Sequence, residues 1–277
     1  MFDRILAGTD GSDRAEEAVG RAAQLASVTG ASLDLVYVID TGRPHDDAEM
    51  EPKAEVALQR AAEAMATGSV PASTKVVAGD PAETLLEEAA DHGADVICVG
   101  PDAGLLGGTV HVGRVAAHVL RHASCSVLVG RHAGPTFPGS ILCGVDGSDS
   151  SIETARLAAR IAVAAGAELR LQHVVPVFEG DEREWTDDDE PDPPEIESAA
   201  QAARAVGIRP IRERAVGRPE YAILEAADRQ EADLVVVGSR GLSGVTRMLL
   251  GSVSEYVAMR GPRSVLVARP GATGARP

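Results

Sequence analysis

Late in the chain, Gly238-Ser239-Arg240-Gly241-Leu242-Ser243-Gly244 follows a short apolar run, and Gly251-Ser252 opens a helical stretch. Glycines let a backbone approach a phosphate closely, and free N–H groups at a helix N-terminus make an anion site. The Ser252 hydroxyl adds a further donor to the same phosphates. A second loop, Asp146-Gly147-Ser148, follows another apolar run. Its carboxylate can bond a ribose hydroxyl or a metal-bound water, and its glycine lets the chain turn beside a ligand. Asp and Ser are also preferred helix caps, and a lone Asp-Gly-Ser would be read that way. Coupled to the full glycine set, the binding role of Asp146 is the reading taken.

Positioning these loops requires strands that end where they begin. Ile5 to Asp13 matches Ile141 to Asp149 at an offset of 136 residues, and Ala94 to Gly100 matches Ala232 to Gly238 at an offset of 138. Ser126 to Arg131 likewise matches Ser264 to Arg269. A repeat this long is a duplicated domain, since solenoid units span only ~20–50 residues. Each half alternates short apolar runs with Ala-rich amphipathic stretches, the signature of a parallel sheet covered by helices on both faces. Strands are predicted near 3–9, 33–39, 73–78, 95–100 and 125–130, with helices near 13–29, 52–66, 82–92 and 110–122. The second half repeats this with strands near 140–145, 169–175, 209–215, 233–238 and 264–268. The domains are set at 1–132 and 139–270, joined by a connector holding His132, Gly134, Pro135 and Pro138. In open parallel sheets ligands bind beyond the carboxyl ends of the strands, which is where both loops fall. The last strand of each half should be a sheet edge, so the two halves are expected to pair there as an internal pseudo-dimer. A homodimer beyond that is left open.

Other constellations offer less. His118 and His122 lie four apart on a helix with His111 seven residues earlier, but no carboxylate or cysteine nearby in sequence completes a metal set, so they are read as surface histidines. Adjacent Glu16 and Glu17, or Glu87 and Glu88, point to different helix positions and do not make an acid/base pair. Cys98, Cys125 and Cys143 each sit in an apolar run with no CxxC spacing, and are read as buried small hydrophobes. No residue is nominated as catalytic and none as a metal ligand.

The set Gly238, Gly241, Gly251 and Ser252, in the pattern G-x-x-G, nine residues, then G-[ST], paired with an early V-D-G-S, resembles the universal stress protein family. The resemblance covers essentially the whole chain, as two tandem copies. It implies a five-stranded α/β fold of the adenine nucleotide alpha hydrolase type in each half, with ATP, with or without magnesium, held between the first and fourth strand ends. It also implies that the early aspartate and a valine after the second strand line the adenosine side: Asp146 and Val174 in the second half, Asp10 and Val38 in the first. Family members mostly bind and regulate, with little or no hydrolysis.

The first half departs from the pattern. Gly100 and Gly113 keep the spacing, but Ala103 stands at the second glycine and Arg114 at the hydroxyl. Alanine adds a methyl group where backbone must meet phosphate. Arg114 keeps a charge there, and Gly104, Gly107 and Gly108 keep the loop permissive. The second half is therefore expected to be the competent nucleotide site, with the first weakened, empty or suited to another anion such as AMP.

The 277 residues carry 26 basic against 42 acidic side chains, a formal net charge of −16, which argues against nucleic acid or anionic lipid as partner. No apolar run approaches a membrane span, and the start enters a strand pattern directly, so a cytoplasmic protein is expected. An acidic stretch from Glu179 to Pro194, with Trp185 among it, is read as a solvated loop, its functional alternative being a protein-docking segment. The leading function is a non-catalytic ATP-binding regulator of a stress response. The alternatives are a slow ATPase, an adenylating enzyme of the ATP pyrophosphatase type, and a scaffold with vestigial sites.

Overall fold

The computed structural model describes residues 1–42, 52–59, 70–101, 105–106, 109–110, 113–131, 137–176, 193–241 and 250–269. In the first half β1 (Arg4–Thr9), α1 (Asp13–Thr29), β2 (Ser32–Asp40), α2 (52–59), β3 (Ala72–Gly79), α3 (Pro81–His92) and β4 (Val96–Val99) follow one another. The short β5 (Leu105–Leu106) and β6 (Thr109–Val110) then precede α4 (Arg114–His122) and β7 (Ser126–Val129). The second half runs β8 (Ser140–Val145), α5 (Asp149–Ala165), β9 (Glu168–Val175), α6 (Pro194–Val206), β10 (Ile211–Val216), α7 (Pro219–Arg229), β11 (Leu234–Gly238), α8 (Ser252–Arg260) and β12 (Ser264–Ala268).

Apolar side chains alternate along the strands, so each strand feeds two cores. Ile5, Leu33, Cys98 and Leu128 face α1, while Leu6, Val36, Ile97 and Val127 face α3 and α4. Both cores continue into the second half without a break, because the two expected five-stranded sheets merge into one of ten strands, ordered β10-β9-β8-β11-β12-β7-β4-β1-β2-β3. The seam is the expected pairing of the two last strands: β7 and β12 run antiparallel with Leu128 opposite Leu266. All other neighbours in that sheet are parallel.

An arginine reinforces the seam from each side. Arg131, leaving β7, donates to Ala258 O (2.6 Å) in the last turn of α8 and to Arg263 O (3.1 Å) just before β12. Arg269, leaving β12, donates to Leu120 O (2.5 Å) in the last turn of α4 and to Cys125 O (3.1 Å) just before β7. Carbonyls at a helix C-terminus have no partner within the helix, so each half closes the last helix of the other.

The helix expected over 110–122 begins only at Arg114. Thr109 and Val110 are β-branched and pair instead with Leu105–Leu106, and Gly113 is the residue before the first helical turn. Pro194, expected inside a loop, starts α6, where proline's fixed φ suits the first turn. Residues 177–192, with Trp185 and most of the acidic stretch, and connector residues 132–136 lie outside the described residues. The three cysteines are buried and unpaired, and burial pushes the Cys98 and Cys143 thiols up to about 12 and Cys125 to about 11. Among the described residues no helix is long and apolar enough to cross a membrane.

Candidate functional site

In each half the strand order reverses between the first and fourth strands: β1 lies between β2 and β4, and β8 between β9 and β11. The connections leave in opposite directions at that point, opening a crevice beyond the strand ends. The Asp-Gly-Ser turns form its floor. Asp146 accepts from the Ser148 N–H (3.0 Å) and hydroxyl (2.6 Å), and Ser148 Oγ caps α5 by accepting from the Ser151 N–H (3.1 Å). Asp10 accepts from the Ser12 N–H (3.0 Å), and Ser12 caps α1. Gly11 and Gly147 sit at φ +76° and +84°, which explains glycine between Asp and Ser. The serine, then, is the cap, and the aspartate braces the turn while facing the crevice.

Register brings the valines alongside. Thr9 lies opposite Tyr37 and Val145 opposite His173, so Val38 and Val174 fall beside Asp10 and Asp146 at the strand ends. Both are buried, Val38 at 9% exposure and Val174 at 7%.

The three glycines of the second-half motif do not share one physical reason. At Gly238 a Cβ would stand 3.1 Å from Thr154 Oγ1, and at Gly100 a Cβ would stand 3.1 Å from Arg14 O, so both positions serve close packing of a strand end on the first helix. At Gly241 a Cβ would run into the Asp146 carboxylate, which places the glycine loop directly on the aspartate turn. At Gly251 neither reason holds. Its φ is −68°, and among the described residues a Cβ would meet nothing closer than Ser239 O at 3.4 Å. It donates its N–H to Ser239 O (2.8 Å), and Ser254 Oγ donates to Gly238 O, tying the start of α8 to the end of β11. Neither α8 nor α4, preceded by Gly251 and Gly113, receives a side-chain cap. Ser252 is exposed in the first turn of α8.

In the first half the crevice is a cavity of about 330 Å³ lined by Asp10, Val38 and Gly100 from the sequence reading, together with Arg114. Arg114 is paired with Asp80 at 3.2 Å. Ala103, Gly104, Gly107 and Gly108, and in the second half residues 242–249, lie outside the described residues. Arg14, Asp40 and Leu85 also line the cavity and escaped the sequence reading. The signal for Arg14 was its place in the first helical turn after Asp-Gly-Ser, where the second half has Ser150. Glu195, against which Gly147 packs, was lost among the neighbouring acidic residues. His118 and His122 stack at 4.0 Å and His118 meets Glu83 at 3.0 Å; His111 is outside the described residues, among which no group of three metal-binding side chains occurs.

This architecture defines a tandem, doubly wound α/β protein with a switch point in each half, the first half's opening into the cavity beside Asp10 and Val38. The family description "Universal stress protein family" matches residues 1–131 and again 139–269, and the chain belongs to that family. It is similar to a universal stress protein of Mycolicibacterium smegmatis, 30% identical over 96% of this chain and 97% of the relative. One from Mycobacterium tuberculosis strain H37Rv is 28% identical over 96% of each. The crystal structure of a universal stress protein from Archaeoglobus fulgidus superposes with a TM-score of 0.75 at 25% identity, covering 97% of this chain and 98% of that one.

Proposed function

We propose that the protein is a nucleotide-dependent regulator that binds ATP in its second domain, residues 139–270. Asp146 and Val174 line the adenosine side, and Gly238, Gly241, Gly251 and Ser252 cradle the phosphates. The observation that carries the reading is Gly251. Among the described residues the fold gives it an ordinary φ and room for a methyl group, so no contact there asks for glycine, which fits a backbone kept bare for a phosphate. It stands before a helix without a side-chain cap, where N–H groups favour an anion. Contact between the Gly241 position and Asp146 joins the phosphate and ribose ends into one site.

Binding without turnover is the favoured mode, because the phosphates are cradled by backbone N–H groups and one hydroxyl and no residue is assigned as a base for water attack. If magnesium accompanies the ATP, the Asp146 carboxylate is the oxygen donor at the crevice floor.

Calorimetric titration of ATP and magnesium into the wild type and Gly251→Asp tests the reading. A carboxylate at the cradle repels phosphate, so the second-domain site should be lost. Unchanged ATP binding in the variant, or none in the wild type at millimolar ATP, would overturn it.

A further inference from the structure

Tyr221 and Tyr256 are two of only three tyrosines in the chain, and they touch each other at the surface. Their ring centroids are 5.1 Å apart at an interplanar angle of 67°, an edge-to-face contact between the first turn of α7 and the middle of α8. The frame sets this contact. Glu83 and His118 hold the corresponding positions of the first half, on α3 and α4, and they also meet, at 3.0 Å. Only the second half fills both positions with phenols.

An arginine lies over each ring, Arg218 at 4.8 Å from the centroid of Tyr221 and Arg260 at 5.3 Å from that of Tyr256. Stacked guanidinium groups help to hold the rings in place. The Tyr256 hydroxyl is hydrogen-bonded to Tyr221, and this bond, ahead of burial and the neighbouring charges, holds its phenol above the ordinary value. A hydrogen bond between two phenol oxygens also brings close the ortho carbons, two bonds from each oxygen.

Phenols, indoles and thiolates are the side chains that lose single electrons readily. Among the described residues the other candidates are shielded: burial pushes the thiols of Cys98 and Cys143 up to about 12 and that of Cys125 up to about 11, so they offer no thiolate at neutral pH. Tyr37 is only 6% exposed, against 47% for Tyr221. Contact also replaces a chance encounter between two chains by a step within one, which raises the effective concentration of each ring about the other by orders of magnitude.

We propose that Tyr221 and Tyr256 are a modification site, at which a one-electron oxidant of the peroxidase type joins α7 to α8 through an intrachain dityrosine. Each phenol gives up one electron and its hydroxyl proton. The two radicals couple through a carbon–carbon bond between ortho positions, and the hydrogen on each of those carbons moves to its oxygen. The pair loses two hydrogen atoms in all, and hydrogen peroxide, taking up two electrons and two protons, leaves as two waters. Tyr256 lies one turn beyond Ser252, so oxidation fixes the helix that Gly251 precedes. The assignment needs no ligand in either half and stands apart from the nucleotide reading.

The test treats the full chain at low concentration with hydrogen peroxide and a peroxidase, and maps its peptides by mass spectrometry. The expected product is a cross-linked peptide pair holding Tyr221 and Tyr256, lighter by two hydrogen atoms, with dityrosine fluorescence and no dimer on a denaturing gel. Tyr221→Phe and Tyr256→Phe should each abolish it, and thermal melting of these variants separates a lost partner from a lost fold. Dityrosine formed only between chains, or oxidation at Trp185 with both tyrosines unmodified, would overturn the proposal. Undiminished intrachain dityrosine in either phenylalanine variant would do the same.

Discussion

Gly241 and Gly251 belong to one motif, yet the structure asks different things of them. A methyl group at 241 collides with the Asp146 carboxylate, whereas one at 251 finds ordinary contact distances. Gly241→Ala should therefore destabilise the fold by about 1–3 kcal/mol through overpacking. Gly251→Ala should cost about 1 kcal/mol or less, the difference between glycine and alanine before a helix. Urea unfolding of the two variants checks this order, and a larger loss at 251 would contradict the geometry. For ATP, both variants should bind more weakly than the wild type. Of the residues singled out in the sequence, the structure brings Asp10, Val38 and Gly100 together around one cavity. It did not show that Gly100 and Gly238 answer to helix packing, since a close approach by Arg14 O or Thr154 Oγ1 leaves no trace in spacing.

Helix ends determine what each crevice presents. The cap of α3 is Asp80, whose carboxyl is held below the usual range by the Glu83 N–H above all, against an opposing effect of burial, with the Arg114 hydrogen bond, the Ala82 N–H and the Arg114 charge adding to the lowering. A carboxyl depressed in the folded state stabilises the fold above its unfolded value, near ~3.9, and that contribution is lost as pH falls through the folded value. Asp80→Ala should cost about 1 kcal/mol at neutral pH, and the gap to wild type should close below about pH 4. Chemical denaturation at pH 7 and at pH 3 would show it, and a gap unchanged by pH would mean that the charge plays no part. Asp80-Pro81 was legible as a helix start because both residues act locally. The later start of α4 was not, since β5 and β6 are two-residue strands whose pairing depends on the chain between them. Short apolar runs gave the central strands to within two residues, because a strand buried on both faces leaves a continuous apolar run.

Across the whole molecule, stability depends on the seam between β7 and β12, where Val127–Val129 and Val265–Val267 are all fully buried. The pairing of two edge strands followed from topology, but the arginines beside it read as ordinary residues leaving a strand. Only the other half's helix ends make Arg131 a cap. Burial pulls the Arg131 guanidinium down to about 10, so keeping it charged at neutral pH costs folding energy that its hydrogen bonds must offset. Because the folded value lies below that of the unfolded chain, this cost declines only as pH rises past about 10. Arg131→Met removes the buried charge but strands the carbonyls of Ala258, in the last turn of α8, and Arg263, just before β12. Buried carbonyls deprived of partners cost ~1–3 kcal/mol each, and two left unpaired together outweigh the relief from removing the charge. Urea unfolding should show a lower midpoint for Arg131→Met and for Arg269→Met, with the double variant falling short of the sum if both loosen one seam. Since both cores run through the two halves, the wild type should unfold in one transition, and weakening the seam should split it in two. An unchanged midpoint in Arg131→Met would show that strand pairing alone holds the halves together.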